Sequence, residues 1–303
     1  MSTSTHSSTN LPIWIIFLFG YFLLITFSTS YAAPPLSSVY ENMIKASNKQ
    51  SSDAYAFKKC RSLQAKPFDK NSTKKKAIIV GDSQGCDFLN GALENSYLNN
   101  YQIQFRFIPY ACQTIPEKNI ANYIAPKHQK FCLQSGRADS LKKAKKQIQE
   151  ADLIIFAALW KIKVAEKFPD IINYLKTNKQ QKMVLIGNKF FGKISPKDYL
   201  KMSEKELKSF RNYVGKTSME INTVFERQLD KRITFVNPHN LLCGKSTTCP
   251  LFTDDLQLIS YDGRHLTQAG AGYIAKILFK QLALEENTIA SQHDKAKASS
   301  LEN

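Results

Sequence analysis

The chain has 303 residues, of which 43% are hydrophobic and 22% charged, and this composition suits a globular protein with one sizeable core or at most two ordinary domains. Its 12 Gly and 11 Pro exclude a collagen or low-complexity chain, and a single long apolar run excludes a polytopic membrane protein. The net charge of +17 would attract anionic glycans or lipids, but Lys outnumbers Arg 35 to 7, which does not favour a nucleic-acid partner because such sites usually use Arg forks.

The apolar run is the first element of the chain and covers residues 11–27. Small residues follow it, and Ser30-Tyr31-Ala32 fits the rule for signal-peptide cleavage. The ten residues before the run contain no Lys or Arg, so an uncleaved anchor that associates with the membrane through residues 11–27 is the alternative. Residues 1–33 are therefore predicted to be a signal peptide or an N-terminal anchor. Either outcome predicts a periplasmic or other extracytoplasmic location for the rest of the chain.

Residues 34–75 are polar and are interpreted as an extension that packs on the main domain, which we place at residues 76–284. Apolar runs then alternate with amphipathic stretches, a pattern that predicts a parallel sheet covered on both faces. The fold class is therefore α/β, a three-layer α/β/α sandwich of flavodoxin-like type with a mainly parallel five-stranded sheet. Residues 285–303 are polar and predict a disordered tail. The predicted strands are 77–80, 103–108, 152–159, 183–187 and 233–237, and the predicted helices are 87–98, 138–150, 165–176, one or two within 203–229, and 268–284.

Six cysteines in a chain that is predicted to be exported indicate disulfides rather than metal ligands. Cys243 and Cys249 would close a short loop, and Cys112 with Cys132 could staple the loop after the second strand. Fifteen pairings remain open from the sequence. The chain has no CxxC or HxxxH spacing and no dinucleotide fingerprint with the right context, so we expect neither a metal nor a cofactor.

The first candidate for chemistry is Gly81-Asp82-Ser83, directly after the first predicted strand. Ligands bind beyond the carboxyl ends of strands in a doubly wound sheet, so Ser83 would lie at the open crevice. Its backbone N–H would also lie near a helix N-terminus, where negative charge is favoured. Ser83 is thus a candidate nucleophile and oxyanion donor, and the alternative is a turn with a helix-capping serine.

The second candidate is Asp262-Gly-Arg-His265, which precedes the last predicted helix. A serine hydroxyl needs a neutral imidazole within hydrogen-bond reach to become a nucleophile, and His265 could supply it. Asp262, three residues earlier, could fix the tautomer of that imidazole and stabilise its protonated form. The alternative for a single loop histidine is a structural or solvent-exposed role.

Taken together, the two blocks resemble those of the SGNH (GDSL-like) hydrolase superfamily across about residues 76–284. The chain is more closely similar to the SGNH domains that are fused to, or act with, membrane-bound acyltransferases that O-acetylate bacterial surface polysaccharides. The matching segments are KKAIIVGDSQ, PYACQTIP, ADLIIFAALW, CGKSTTC and YDGRHLTQAGA. The resemblance implies that Ser83 is the nucleophile, His265 the general base and then acid, and Asp262 the orienting carboxylate.

The oxyanion hole departs from the superfamily pattern. AALWK stands where its Asn block would be, and no glycine block follows the second strand near residues 109–111. The Ser83 N–H is then one donor, and the second is predicted to be the Gly85 N–H or a backbone group near Cys112. Trp160, at the end of the third strand, has two interpretations: it lines an acyl or sugar pocket, or it is a core aromatic.

The resemblance, together with the predicted export, implies an exported O-acetyl esterase or O-acetyltransferase that acts on a cell-envelope polysaccharide, as acyl donor or acceptor, through a Ser-His-Asp triad and an acyl-enzyme. A membrane acyltransferase is a further expected partner. The alternative, motivated by the missing oxyanion blocks, is a non-catalytic SGNH-like module that binds acyl chains or glycans and assists a separate membrane acyltransferase.

Overall fold

A computed structural model describes residues 37–116 and 123–282. The predicted signal peptide or anchor and the predicted tail lie outside the described residues. No helix within the described ranges is long and apolar enough to cross a membrane. The helices are α1 (Ser38–Ala46), α2 (Lys49–Leu63), α3 (Ser83–Glu94), α4 (Pro126–Gln134), α5 (Leu141–Glu150), α6 (Ile162–Glu166), α7 (Phe168–Leu175), α8 (Pro196–Tyr199), α9 (Glu204–Ser209), α10 (Thr217–Gln228), α11 (Pro238–Cys243) and α12 (Gln268–Leu282). The strands are β1 (Lys75–Gly81), β2 (Tyr101–Phe107), β3 (Leu153–Ala157), β4 (Lys182–Ile186), β5 (Arg211–Tyr213), β6 (Ile233–Val236) and β7 (Thr248–Pro250), and a 3-10 turn covers Tyr110–Cys112.

The five predicted strands are confirmed and form one parallel sheet in the order β2-β1-β3-β4-β6. From β1 the chain moves outward to β2, which pairs with one edge of β1, and then returns to β3, which pairs with the opposite edge of β1. The connections therefore diverge at the carboxyl ends of β1 and β3, which is where ligands bind in open α/β sheets.

Alternate side chains of the strands supply two separate cores, one on each face of the sheet. Ile79 belongs to the core formed with α3 and α12, and its neighbour Ile78 to the core formed with α5, α7 and α10. Both side chains are fully buried, as expected for a central strand that is covered on both faces. The three-layer α/β/α architecture is therefore confirmed.

Some helix boundaries differ from the prediction. Helix α3 begins at Ser83, four residues before the predicted start, because the Asp82 carboxylate accepts a hydrogen bond from Gln84 N (3.0 Å) and caps the helix there. Residues 165–176 are divided between α6 and α7, and Pro169 lies in the first turn of α7, where its missing N–H costs no helical hydrogen bond.

The polar segment before β1 contains two helices that the sequence analysis did not assign. Helix α2 packs against α3 and β2, and a disulfide joins its Cys60 to Cys86 of α3. The other disulfides are Cys112–Cys132 and Cys243–Cys249, the two that the spacing suggested. A small antiparallel sheet of β5 and β7 carries Cys249, whose partner Cys243 ends helix α11.

Candidate active site

Ser83 lies at the junction of β1 and α3 and is the first residue of α3. A side chain at Gly81 would place its Cβ 1.7 Å from the Ala157 carbonyl oxygen, so only glycine allows β1 and β3 to approach this closely beneath the serine. Asp82, not Ser83, caps the helix. Within the described residues the half-buried Ser83 hydroxyl makes no hydrogen bond, which leaves it available to a ligand.

Asp82 is fully buried and fixes the geometry around the serine. Its carboxylate accepts hydrogen bonds from Gln84 N and, with both oxygens at 3.1 Å, from Leu159 N. Burial raises the pKa of Asp82 to about 7, although these two backbone hydrogen bonds and the nearby Lys189 act in the opposite direction.

Asp262 and His265 are in direct contact on the loop before α12. His265 Nδ1 lies 2.6 Å from Asp262 Oδ2, and Asp262 Oδ1 accepts hydrogen bonds from Arg264 N (2.9 Å) and His265 N (2.8 Å). Burial raises the pKa of Asp262, but the hydrogen bonds from the His265 ring and from these two N–H groups outweigh it and hold the pKa well below its usual range. The carboxylate is therefore ionised and can hold Nδ1 in its protonated form, which leaves Nε2 as the basic nitrogen.

The loop conformation depends on Gly263, whose φ is +88°. A Cβ at this position would lie 1.9 Å from the Gly192 carbonyl oxygen, so the close approach also requires glycine. Ser260 Oγ donates to His265 O (2.7 Å) and accepts from Gly263 N (2.9 Å), and this closes the turn that presents the imidazole.

A cavity of 680 Å³ lies at the carboxyl ends of the strands, and both Ser83 and His265 line it. The structure thus brings two residues that are 182 positions apart in the sequence to the same cavity. Among the described residues, no hydrogen bond joins their side chains in this state. Catalytic hydrogen bonds of ligand-free enzymes are often long and shorten only when substrate binds.

The segments that carry Ser83 and His265 are linked through Lys189, which follows β4. Gln84, next to Ser83, donates from Nε2 to Lys189 O (3.1 Å). Lys189 in turn donates from Nζ to the carbonyl oxygen of Arg264 (3.0 Å), next to His265. One residue therefore sets the relative positions of both segments.

The structure supports the core interpretation of Trp160. The ring is 6% exposed, packs edge-on against Phe168 and Phe225, and donates from Nε1 to Ile186 O (2.8 Å). It also lines the cavity that Ser83 and His265 share. It is a core aromatic that forms part of the cavity wall.

The two donors suggested to complete the oxyanion hole are placed elsewhere. Gly85 does not line the cavity, and a Cβ there would meet the Ala157 carbonyl oxygen at 2.8 Å, so this part of α3 packs on β3. The N–H of Cys112 donates to Pro109 O (2.7 Å) and is already engaged.

Asn188, which the sequence analysis missed, is 1% exposed and lines the cavity beside Ser83. Its Oδ1 accepts from Trp160 N (2.7 Å) and its Nδ2 donates to Trp160 O (3.2 Å), while Asn222 Oδ1 accepts from its backbone N–H (2.7 Å). The rule that sites lie beyond strand ends could have found this residue, because it follows the β4 strand by two positions.

Helix α2 also contributes to the site. Phe57 lines the cavity, and its ring contacts the His265 ring edge-on at 5.4 Å between centroids. Arg61, one turn further along, lines the same cavity. No sequence signal indicated that this polar segment would reach the cavity lined by Ser83 and His265.

Comparison with known proteins places these features in one family. The family model described as "SGNH domain (fused to AT3 domains)" matches residues 47–280, and no curated protein matches the chain. Among solved structures, the chain is similar to the C-terminal catalytic domain of Streptococcus pneumoniae peptidoglycan O-acetyltransferase A (OatA), which was solved with a methylsulfonyl adduct. The two sequences are 12% identical, and the TM-score is 0.35. The match covers 71% of this chain and 97% of that chain. The family match covers most of the chain and confirms the resemblance found in the sequence. The chain therefore belongs to the family of SGNH domains fused to AT3 domains, and is an SGNH-type acyl esterase or acyltransferase.

Proposed function

We propose that the protein is an exported serine enzyme that transfers an O-acyl group, an acetyl in the simplest case, to or from a cell-envelope polysaccharide. The observation that carries the proposal is the 2.6 Å contact between His265 Nδ1 and an ionised Asp262, on a loop that lines the same cavity as Ser83. This arrangement supplies a nucleophile, a base and a carboxylate that orients the base.

In the first step Ser83 Oγ attacks the carbonyl carbon of the acyl donor, and the electron pair of the C=O bond moves to the oxygen. His265 Nε2 takes the hydroxyl proton, and Asp262 stabilises the imidazolium that forms. When the tetrahedral intermediate collapses, the bond to the alcohol breaks, and the departing oxygen receives the proton from His265. The product of this step is an acyl ester on Ser83.

In the second step His265 removes a proton from water or from a sugar hydroxyl, and that oxygen attacks the acyl carbon. The bond to Ser83 Oγ breaks and the serine regains its proton. Hydrolase and transferase differ only in the acceptor, so the outcome depends on whether the cavity holds a sugar hydroxyl and excludes water.

We assign the stabilisation of the oxyanion to Ser83 N–H, at the start of α3, and to the side-chain amide of Asn188. The Nδ2 group has two hydrogens, and its hydrogen bond to Trp160 O uses one of them. The other has no acceptor among the described residues, and Asn188 lines the same cavity as Ser83. The bonds to Trp160 and Asn222 hold the amide in place before substrate arrives, as preorganised stabilisation requires.

The proposed location and partners have independent support. Three disulfides are typical of proteins that fold in an oxidising compartment, which favours an extracytoplasmic location. The family is named for its fusion to AT3 domains, which supports a membrane acyltransferase as the partner that delivers acyl groups.

The test is hydrolysis of p-nitrophenyl acetate by the full chain and by Ser83→Ala, with Ser209→Ala, an exposed serine on α9, as the matched control. We expect Ser83→Ala to lose at least 10³-fold in rate and Ser209→Ala to keep the full rate. Intact-mass analysis should detect an added acetyl group on the wild type but not on Ser83→Ala. Equal rates for wild type and Ser83→Ala would reject the enzyme and favour the non-catalytic glycan-binding module.

A further inference from the structure

The catalytic cavity continues into a second depression on the surface. This second cavity, of 590 Å³, shares Arg61 and Phe131 with the first and ends at Gly136 and Arg137. We call the combined depression the arginine groove. Ser83 lines its first cavity and Arg137 its second.

Arginine is concentrated along this groove. The chain has only 7 arginines among its 42 cationic residues, and three of them, Arg61, Arg137 and Arg264, line the two cavities. A solvated surface charge in this protein is normally a lysine. Arginine differs from lysine in presenting a planar fork of donors that matches a carboxylate or phosphate group.

These guanidinium groups have few partners in the described parts of the chain. Arg61 Nη1 donates to Gln64 Oε1 (2.8 Å) and to Arg137 O (3.2 Å), and its remaining donors are unused there. The side chain of Arg137 forms no hydrogen bond or ion pair with any described residue, and neither does that of Arg264. Asp139, the carboxylate whose charge acts on Arg61, is already paired with Arg106 at 3.1 Å.

The Arg61 side chain is nevertheless held in place. Its Cζ lies 3.5 Å from the centroid of the Phe107 ring, so the guanidinium stacks on an aromatic face. Burial and the neighbouring charge of Arg137 lower the pKa of Arg61, against a smaller opposite effect of Asp139. Two cations are thus held close together with no ion-pair partner among the described residues, and a bound anion would relieve their repulsion.

Two exposed aromatic rings border the same groove. Tyr110 is 47% exposed and Phe131 is 37% exposed. The disulfide between Cys112 and Cys132 joins the 3-10 turn that carries Tyr110 to helix α4, which carries Phe131. The cross-link fixes the two rings relative to each other. A platform that binds the apolar face of a sugar requires such a fixed arrangement.

We propose that the arginine groove is the binding site for a negatively charged glycan strand, with Arg61 and Arg137 bound to a carboxylate or phosphate on one sugar while a neighbouring sugar lies at Ser83. Tyr110 and Phe131 contact sugar rings along the strand. This inference rests on the proposed function and adds to it the substrate class and the residues that select it.

The experiment measures binding by isothermal titration calorimetry in a Ser83→Ala background of the full chain, so that the result does not depend on turnover. The probes are an oligogalacturonate, the same oligosaccharide with its carboxyl groups methyl-esterified, a phosphorylated dextran oligosaccharide, and a hexaglutamate peptide. The variants are Arg137→Gln and Arg61→Lys, with Arg227→Gln on α10 as the control, since this exposed arginine lines neither cavity. Thermal unfolding of each variant confirms that it is folded.

We expect at least one of the two anionic glycans to bind at least tenfold more tightly than the esterified oligosaccharide and the peptide. Tighter binding of the galacturonate assigns the anion as a carboxylate, and tighter binding of the dextran assigns it as a phosphate. Arg137→Gln and Arg61→Lys should each weaken that binding at least fivefold, and Arg227→Gln should not. Equal binding of neutral and anionic glycans, equal binding of the peptide, or unchanged affinity in folded Arg137→Gln would each overturn the inference. Failure of the proposed function is seen separately, in the p-nitrophenyl acetate rates of Ser83→Ala and wild type.

Discussion

Lys189 Nζ lies 2.6 Å from Asp87 Oδ2, and both side chains are almost completely buried. The same amine donates to Arg264 O, and the other oxygen of Asp87 accepts from Leu266 N (3.2 Å). The ion pair therefore holds the backbone on both sides of His265. Its position suggests a function in orienting the imidazole as well as in stability.

Lys189→Met should destabilise the fold by about 3–5 kcal/mol, because it leaves the Asp87 carboxylate buried and without its counterion. Urea unfolding would measure this change. The double variant Asp87→Asn, Lys189→Met should recover at least half of the lost stability, since it removes the unpaired charge and keeps an acceptor for Leu266 N. A double variant as unstable as the single one would contradict this account.

Asp262→Asn should lower the rate of p-nitrophenyl acetate hydrolysis by about 10³–10⁴-fold with little loss of stability. The amide oxygen can still accept from the backbone N–H groups of Arg264 and His265, but it no longer selects the tautomer with a basic Nε2. Asp254→Asn, at an exposed aspartate on the segment before this loop, is the control and should keep the full rate. A rate for Asp262→Asn within tenfold of wild type would remove Asp262 from the mechanism.

Asn188→Ala should reduce kcat by about 10²–10³-fold and leave KM within a few-fold, as the loss of one oxyanion donor does. The comparison variant is Asn173→Ala, an exposed asparagine on α7 far from the cavity. If Asn188 only positions Trp160, the substitution should instead raise KM and lower the unfolding temperature without a selective fall in kcat.

Asp82 makes stability dependent on pH in a defined direction. Its pKa is about 7 in the folded protein and 3.8 in the reference state, so between these values the folded state binds the extra proton. Stability from this group is therefore complete below pH 4 and is lost as the pH rises to about 7. Asp82→Asn, which cannot titrate, should reduce the fall in unfolding free energy between pH 5 and pH 7.5 by on the order of 1–4 kcal/mol. Parallel curves for wild type and variant in urea titrations would show that Asp82 is ionised throughout.

Replacing both Cys112 and Cys132 by Ala should cost about 3 kcal/mol of stability, the usual effect of opening a cross-link that spans about 20 residues. It should also weaken the anionic glycan more than it slows p-nitrophenyl acetate hydrolysis, because Tyr110 and Phe131 lose their fixed spacing while Ser83 and His265 do not. Removal of Cys243 and Cys249 is the matched comparison, since neither of these cysteines lines the arginine groove.

The sheet could be predicted because its strands are short, continuous apolar runs such as AIIV. Such runs are typical of parallel strands that are buried on both faces. The two candidate motifs around Ser83 and His265 could be proposed from the sequence because the chemistry of a triad requires specific residue types. Asn188 and Lys189 were missed because a single polar residue after a strand has no distinctive local pattern. Their hydrogen-bond partners lie 28 to 102 positions away in the sequence.

Helix α2 escaped prediction for a different reason. Its sequence, KQSSDAYAFKKCRSL, has little apolar periodicity, and its position is fixed by packing on α3 and by the bond from Cys60 to Cys86. Arg61 and Phe57 therefore reach the site through tertiary structure alone. A pattern search within the helix cannot reveal such contacts.

The disulfide between Cys60 and Cys86 has a practical consequence for protein engineering. Cys86 lies three positions after the proposed nucleophile, on the same helix, and its partner lies on the helix that supplies one wall of the substrate site. An expression fragment trimmed to start at the first sheet strand would expose an unpaired thiol next to Ser83 and remove Phe57 and Arg61 together. Any minimal catalytic fragment must therefore retain the α2 segment and be produced where thiols are oxidised.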